Sequence, residues 1–178
     1  SETDCVARQD EFRGCAAAVA QAALAAGADS LEATLALPLE GGATVEDTRR
    51  SLVARIGENI SVRRVGRLVA PTRIGSYVHG GRIGVLVGVE GGDESVAHDL
   101  AMHVAASNPQ YARAEDVPAE QVSKEREILS AQAMQEGKPA EIVAKMVEGR
   151  IRKYLAEICL VGQPFVKDPD ITVEKLLK

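Results

Sequence analysis

The tightest constraint in this chain is the Gly80-Gly81 pair, because two apolar runs flank it within residues 74–89. A glycine pair tolerates the positive φ angles of a tight turn, so the runs read as the two arms of a β-hairpin. The second arm, Ile83-Gly84-Val85-Leu86-Val87-Gly88-Val89, is nearly continuous in apolar residues. Such a run predicts a strand covered on both faces.

Helical patterns lie on either side. Over residues 9–26, Phe12, Cys15, Ala16, Val19, Ala22 and Ala23 recur at three- and four-residue steps, and Gly27 supplies a stop. Residues 28–43, with Pro38, Gly41 and Gly42, predict a loop or poorly ordered insert. Thr44 caps a helix over 45–56, with Leu52 and Ile56 on its apolar side and Gly57 closing it. Residues 60–69 have strand character, with Val62, Val65 and Val69 set among arginines. Asp93 caps a helix over 94–106 whose core side holds Val96, Leu100, Met102, His103 and Val104, and Ser107-Asn108-Pro109 ends it. A short acidic loop thus leads into an Ala-rich helix twice, from Thr3-Asp4 and from Gly92-Asp93. That echo suggests two related α+β halves, the first short of a leading strand.

Residues 116–158 change character: charge rises and glycine nearly vanishes, apart from Gly137-Lys138-Pro139 between two helical stretches. Glycine at a helix end and proline at the next helix start is the expected asymmetry. On the second stretch Ala140, Ala144, Val147, Ile151, Tyr154 and Ile158 alternate steps of four and three, a heptad-like seam. The first carries Val122, Ile128, Leu129 and Met134 less regularly. The pair predicts an antiparallel helical hairpin protruding from an α+β body of small antiparallel sheets flanked by helices.

Composition narrows the function. Only 3% of the 178 residues are aromatic, none is Trp, and the apolar set is mostly aliphatic, which suits packed helices better than an aromatic-lined ligand pocket. The net charge of −5, without a long basic run, gives nucleic acid no electrostatic footprint and fits a cytoplasmic protein. Cys5, Cys15 and Cys159 have no metal-ligand spacing with one another or with the three histidines, so neither a zinc site nor a disulfide framework is expected. No apolar run reaches the roughly 18 residues of a membrane span. No Ser/His/Asp or Cys/His constellation and no phosphate-cradling Gly-rich motif occurs, so no catalytic residue, metal or cofactor is assigned. The start at Ser1 without a methionine, and the end at Lys178 inside a helical pattern, read as a chain cut from a longer one.

A family resemblance rests on ordered motifs. Ile56-Gly57-Glu58-Asn59-Ile60 with Arg63-Arg64, Tyr77-Val78-His79-Gly80-Gly81-Arg82-Ile83-Gly84-Val85-Leu86, Ala101-Met102-His103-Val104-Ala105-Ala106, Glu148-Gly149-Arg150 and Gly162-Gln163-Pro164-Phe165 resemble, in order, segments of the bacterial elongation factor Ts family. The resemblance implies a core N-subdomain over residues 1–69 and a core C-subdomain over 70–112, to which 158–178 return. It also implies a helical-hairpin dimerisation domain over 113–157. Thr3-Asp4-Cys5-Val6-Ala7 aligns with a family loop in which Phe stands where this chain has Cys5.

The function implied is guanine nucleotide exchange on elongation factor Tu, with no bond chemistry. A partner that prefers the nucleotide-free GTPase must, by linkage, weaken GDP binding equally. Carried over, Thr3, Asp4, Cys5, Val6, Ile56, Gly57, Glu58, Asn59, Tyr77, His79 and Gly80 would meet elongation factor Tu. Val122, Leu129, Val147, Ile151 and Tyr154 would serve a homodimer. The competing expectation is a structural or dimerisation fragment that binds elongation factor Tu weakly or without exchange.

Overall fold

The computed structural model describes residues 1–135, 137 and 139–178. They form two compact units, Ser1–Val69 with Gly80–Arg82 and Ala70–His79 with Ile83–Lys178. The class is α+β, with eight helices and two antiparallel two-stranded sheets among the described residues.

The first unit holds α1 (Asp4–Ala7), α2 (Asp10–Ala26), α3 (Leu31–Leu35) and α4 (Val45–Ile56). α2 stops where Gly27 turns left-handed at φ 66° and its N–H reaches the carbonyls of Ala23 and Leu24. Thr44 caps α4 reciprocally with Asp47: its hydroxyl oxygen accepts the Asp47 N–H at 3.1 Å and donates to the Asp47 carboxylate at 2.7 Å. Val6, Leu52 and Ile60 form the buried cluster, with Phe12, Cys15, Val53 and Ile56 packed on it.

Two expectations change in this unit. Residues 28–43 are not merely a loop: Ser30 caps the one-turn helix α3, and a Pro38–Thr44 bridge closes the Gly41-Gly42 turn. Five residues are too few for periodicity to reveal a helix. Residues 60–69, expected as a strand, carry no ladder. A strand needs a hydrogen-bonded neighbour, and no described segment of this unit supplies one. Their entry is fixed by Arg49, which donates to the Ile60 carbonyl at 2.8 Å while Glu46 holds its guanidinium. Those hydrogen bonds, Arg49 first, depress the Glu46 carboxyl to about 2.

In the second unit β1 (Arg73–His79) pairs antiparallel with β2 (Ile83–Val89), from Arg73↔Val89 to His79↔Ile83. Gly80 and Gly81 take the positive φ angles, 57° and 71°, that the turn requires. α5 (Glu94–Ser107) covers one face of this ribbon and buries Ala97, Leu100, Ala101 and His103. The approach is close. A Cβ on Gly75 would lie 1.9 Å from the Ala97 carbonyl oxygen, so only glycine fits there. The other face is bare, with Ile74, Val78 and Leu86 exposed by 45%, 68% and 55%. β2 is therefore covered on one side only, and Gly84 and Gly88 account for part of its apolar run. Met102 and Val104 are half-buried; the alanines of α5 take the contact instead.

α6 (Ala119–Gln135) and α7 (Ala140–Ile158) run antiparallel, as the cross-pairs Gln121–Tyr154 and Arg126–Glu148 require. Ala133, Val143, Val147 and Ile151 are buried in their seam, with Val122, Leu129 and Leu155 beside them. Val147 and Ile151 of the expected seam are in it, but Val143 joins them, while Ala140 and Ala144 are exposed. Of the Gly137-Lys138-Pro139 link, Lys138 lies outside the described residues. Beyond α7 come β3 (Pro164–Phe165), β4 (Asp168–Thr172) and α8 (Val173–Leu176), all too short to be read from sequence. Phe165 and Val173 join Val89, Ala97 and Leu100 in the core of this unit.

Candidate functional site

In the first unit, one carboxylate organises the residues singled out by sequence. Glu58 accepts the Thr3 backbone N–H at 2.7 Å, the Thr3 hydroxyl at 2.5 Å and the Glu2 N–H. Those hydrogen bonds, led by the Thr3 hydroxyl, hold its carboxyl below the usual range. Thr3 in turn caps α1 by accepting the Val6 N–H. The cap is therefore Thr3, and Asp4 is the first helical residue. Val6 is 6% exposed and anchors α1 to Leu52 and Ile60, so it is a core residue rather than a surface one. Asp4 and Cys5 project from the anchored turn as exposed side chains, and Cys5 carries a free thiol.

The second sequence-predicted loop is the other end of the same clamp. Ile56 packs on the cluster that holds Val6. Gly57 ends α4 at φ 77°, its N–H on the Val53 carbonyl at 2.8 Å, which frees Glu58 to turn back toward Thr3. Asn59 is exposed. The fold thus brings Thr3–Cys5 and residues 57–59 together over buried Val6 and half-buried Ile56. Glu58 ties them by bonding its own chain. No local signal announces that role, since the partners are 55 residues apart.

In the second unit the hairpin residues sit at the end of β1. Tyr77 is half-buried, and its hydroxyl lies 3.0 Å from Nδ1 of exposed His79. Tyr77 also meets the ring of His98 edge-on at 5.7 Å. His79 and Tyr77 line a groove of about 350 Å³ together with Met102, Ala105, Ala106, Val166 and Lys167.

Two of the sequence motifs meet in the interior instead. His103 Nδ1 accepts the Val166 N–H at 3.1 Å, so the ring's proton is on Nε2, which donates to Gln163 Oε1 at 3.0 Å. Gln163 Nε2 then donates to the Glu157 carbonyl at 2.7 Å. His103 is fully buried, and this chain fixes α5, the end of α7 and the β3–β4 turn to one another. His103 is thus the packed histidine expected from sequence, and Gln163 is its unforeseen partner.

Val122, Leu129, Val147 and Ile151 hold the α6–α7 seam closed, and Tyr154 accepts from Gln121 Nε2 at 2.8 Å. Gln121 Oε1 also accepts from the Tyr111 hydroxyl at 2.7 Å, which pins the root of the hairpin. A groove between the two helices is lined by Arg126, Ser130 and Met134 on α6 and by Ala140, Ala144 and Glu148 on α7, and reaches the seam residues Val143 and Val147. Among the described residues, no group of three or more His, Cys, Asp or Glu is placed to hold a metal ion. No helix among them is long and apolar enough to cross a membrane.

Comparison with known proteins agrees with the motifs. A family model described as Elongation factor TS matches residues 2–178. The chain is 54% identical over 178 residues to "Elongation factor Ts" of Halorhodospira halophila, covering 100% of this chain and 61% of that protein. It is 57% identical to "Elongation factor Ts" of Methylococcus capsulatus, covering 99% and 61%. The protein of the same name from Francisella tularensis subsp. novicida is 55% identical, covering 100% and 61%. The chain therefore spans about three fifths of the length of the curated relatives it matches.

Proposed function

This chain belongs to the elongation factor Ts family, and on that premise we propose that it binds elongation factor Tu and promotes release of GDP during translation elongation in the cytoplasm. It acts through protein binding alone, without a cofactor, nucleic acid or membrane. The observation that carries this reading is the Glu58 clamp. It joins two motif-bearing loops and leaves Asp4, Cys5 and Asn59 exposed on a preformed surface. A surface ordered before encounter loses less conformational entropy on binding. The factor by which this chain prefers the nucleotide-free GTPase over the GDP-bound one is, by linkage, the factor by which it weakens GDP binding. His79 and Gly80 at the end of the β-hairpin would form a second contact.

Stopped-flow release of a fluorescent GDP from elongation factor Tu tests the proposal. Acceleration that grows with the concentration of this chain is expected; an unchanged rate with folded protein refutes it. Cys5 favours a second reading, a fragment that binds without exchange, because its side chain buries far less area than the family's Phe.

A homodimer through the helical hairpin is the proposed assembly. Four of the five residues assigned to it by sequence close the hairpin on itself. The groove between the helices, with Met134 68% exposed and Val147 in its lining, is the surface offered to a second copy. Met134→Glu would leave the fold intact and return the mass in light scattering to that of a monomer. A wild-type monomer would end this part of the proposal.

A further inference from the structure

The three histidines occupy three different hydrogen-bonding environments, all within the second unit. His98 Nδ1 lies 3.0 Å from the Ser76 carbonyl oxygen. A carbonyl only accepts, so Nδ1 carries a proton. That bond fixes the His98 ring on the helix-covered side of β1, where its edge meets Tyr77. Tyr77 and His79 are two apart on one strand and share that face. Tyr77 is thus held by His98 behind it and reaches forward to His79 Nδ1.

From this relay we infer that Tyr77 and His98 are positioning residues, and that His79 contacts the GTPase as a pre-oriented hydrogen-bond donor through Nε2–H. The inference rests on the exchange-factor reading. A phenol donates more strongly than it accepts, so the Tyr77 O–H is assigned as donor to Nδ1 of the neutral imidazole, which leaves the ring proton on Nε2, the atom farther from the strand. The protonated ring keeps an Nε2–H as well and donates from Nδ1 to the phenol oxygen. In either state the group offered outward is a donor. The partner group it selects is therefore an acceptor, a main-chain carbonyl or a carboxylate, and a Lys or Arg there is rejected. The apolar lining of Met102, Ala105, Ala106 and Val166 beside His79 adds a requirement for an aliphatic or aromatic side chain next to that acceptor. Neither part was legible in sequence, since Tyr77 reads there as another contact and His98 lies outside every motif.

The tests separate this relay from the function it serves. Long-range ¹H–¹⁵N spectra of the free chain at pH 8 read the tautomers directly. His79 is expected as Nε2–H and His98 as Nδ1–H, and Tyr77→Phe is expected to return His79 to the tautomer mixture of an unstructured histidine. An Nδ1–H His79, or no response to Tyr77→Phe, overturns the relay. For contact, calorimetry with nucleotide-free elongation factor Tu is run on substituted chains that keep the wild-type circular dichroism. His79→Gln, whose amide nitrogen stands in for Nε2, is expected to bind within about threefold of wild type. His79→Asn, whose nitrogen stands in for Nδ1, is expected to bind about tenfold more weakly, and Tyr77→Phe roughly three- to tenfold. Equal losses for Gln and Asn overturn the donor assignment. A wild-type chain that fails to bind overturns the exchange-factor reading itself, while the spectra still judge the relay.

Discussion

Replacing Gly75 with Ala is the sharpest test of how the second unit is packed. The added carbon would stand 1.9 Å from the Ala97 carbonyl oxygen and 2.3 Å from its carbonyl carbon. Ordinary contact begins near 3.4 Å, so strand and helix must separate by roughly 1.5 Å. Both clashing groups are backbone, and no side-chain rotation relieves them. Separation would open the contact that buries Ala97, Leu100 and Ala101 to 1% exposure or less. Overpacking costs about 1–3 kcal/mol where side chains can give way; with backbone on one side of the clash, about 3 kcal/mol or more is expected. In a chain of this size that lowers the melting temperature by roughly 6–12 °C. Gly84→Ala is the control, on the bare face of the same ribbon with nothing within 4 Å. Its effect should stay within about 0.5 kcal/mol. The readout is thermal denaturation followed by circular dichroism. Equal melting temperatures for wild type and Gly75→Ala would refute the close approach of α5 to β1.

The Glu58 clamp gives a pH prediction. Its carboxyl is depressed in the folded chain, so its contribution is complete above the ordinary carboxylate value and is lost as pH falls through the lower folded one. The Thr3 amide resonance should titrate with a midpoint below the ordinary glutamate range, and Glu58→Gln should weaken binding to elongation factor Tu while leaving α4 helical. Gln163→Leu strands the His103 Nε2–H and the Glu157 carbonyl, at a cost of about 2–4 kcal/mol in urea denaturation. Cys5→Phe changes an exposed side chain, so stability should stay within about 0.5 kcal/mol, while stopped-flow exchange should accelerate about tenfold or more if a buried aromatic ring contributes even 1.4 kcal/mol at the contact.

Sequence patterns recovered the elements that repeat over many residues: α2, α4, α5, the β-hairpin and the two long helices, along with the glycine stops at Gly27 and Gly57. They failed where structure depends on a neighbour distant in the chain. The valines of residues 60–69 alternate as a strand would, yet a strand is a property of a pair. The β2 run looked buried because Gly84 and Gly88 count as apolar, although neither covers a face. The heptad seam was right at Val147 and Ile151 but took Ala140 and Ala144 in place of Val143, because alanine fits a seam and a surface equally well. The same limit applies to the site. The motif singled out Thr3, Asp4 and Cys5 as expected contacts, but nothing local to Glu58 revealed that it bonds back to Thr3 and Glu2, or that Val6 is buried. Gln163 could have been paired with His103 only by noticing that each lies in a motif without an exposed role.

The clamp also bears on how such a surface changes over generations. A single carboxylate makes two stretches of polypeptide behave as one object, so neither can be altered in isolation. Losing the left-handed stop at Gly57 would shift both stretches together, even with every outward-facing side chain intact. Variation should therefore gather in the side chains that point outward, of which Cys5 is one. The backbone beneath them should change only in coordinated steps.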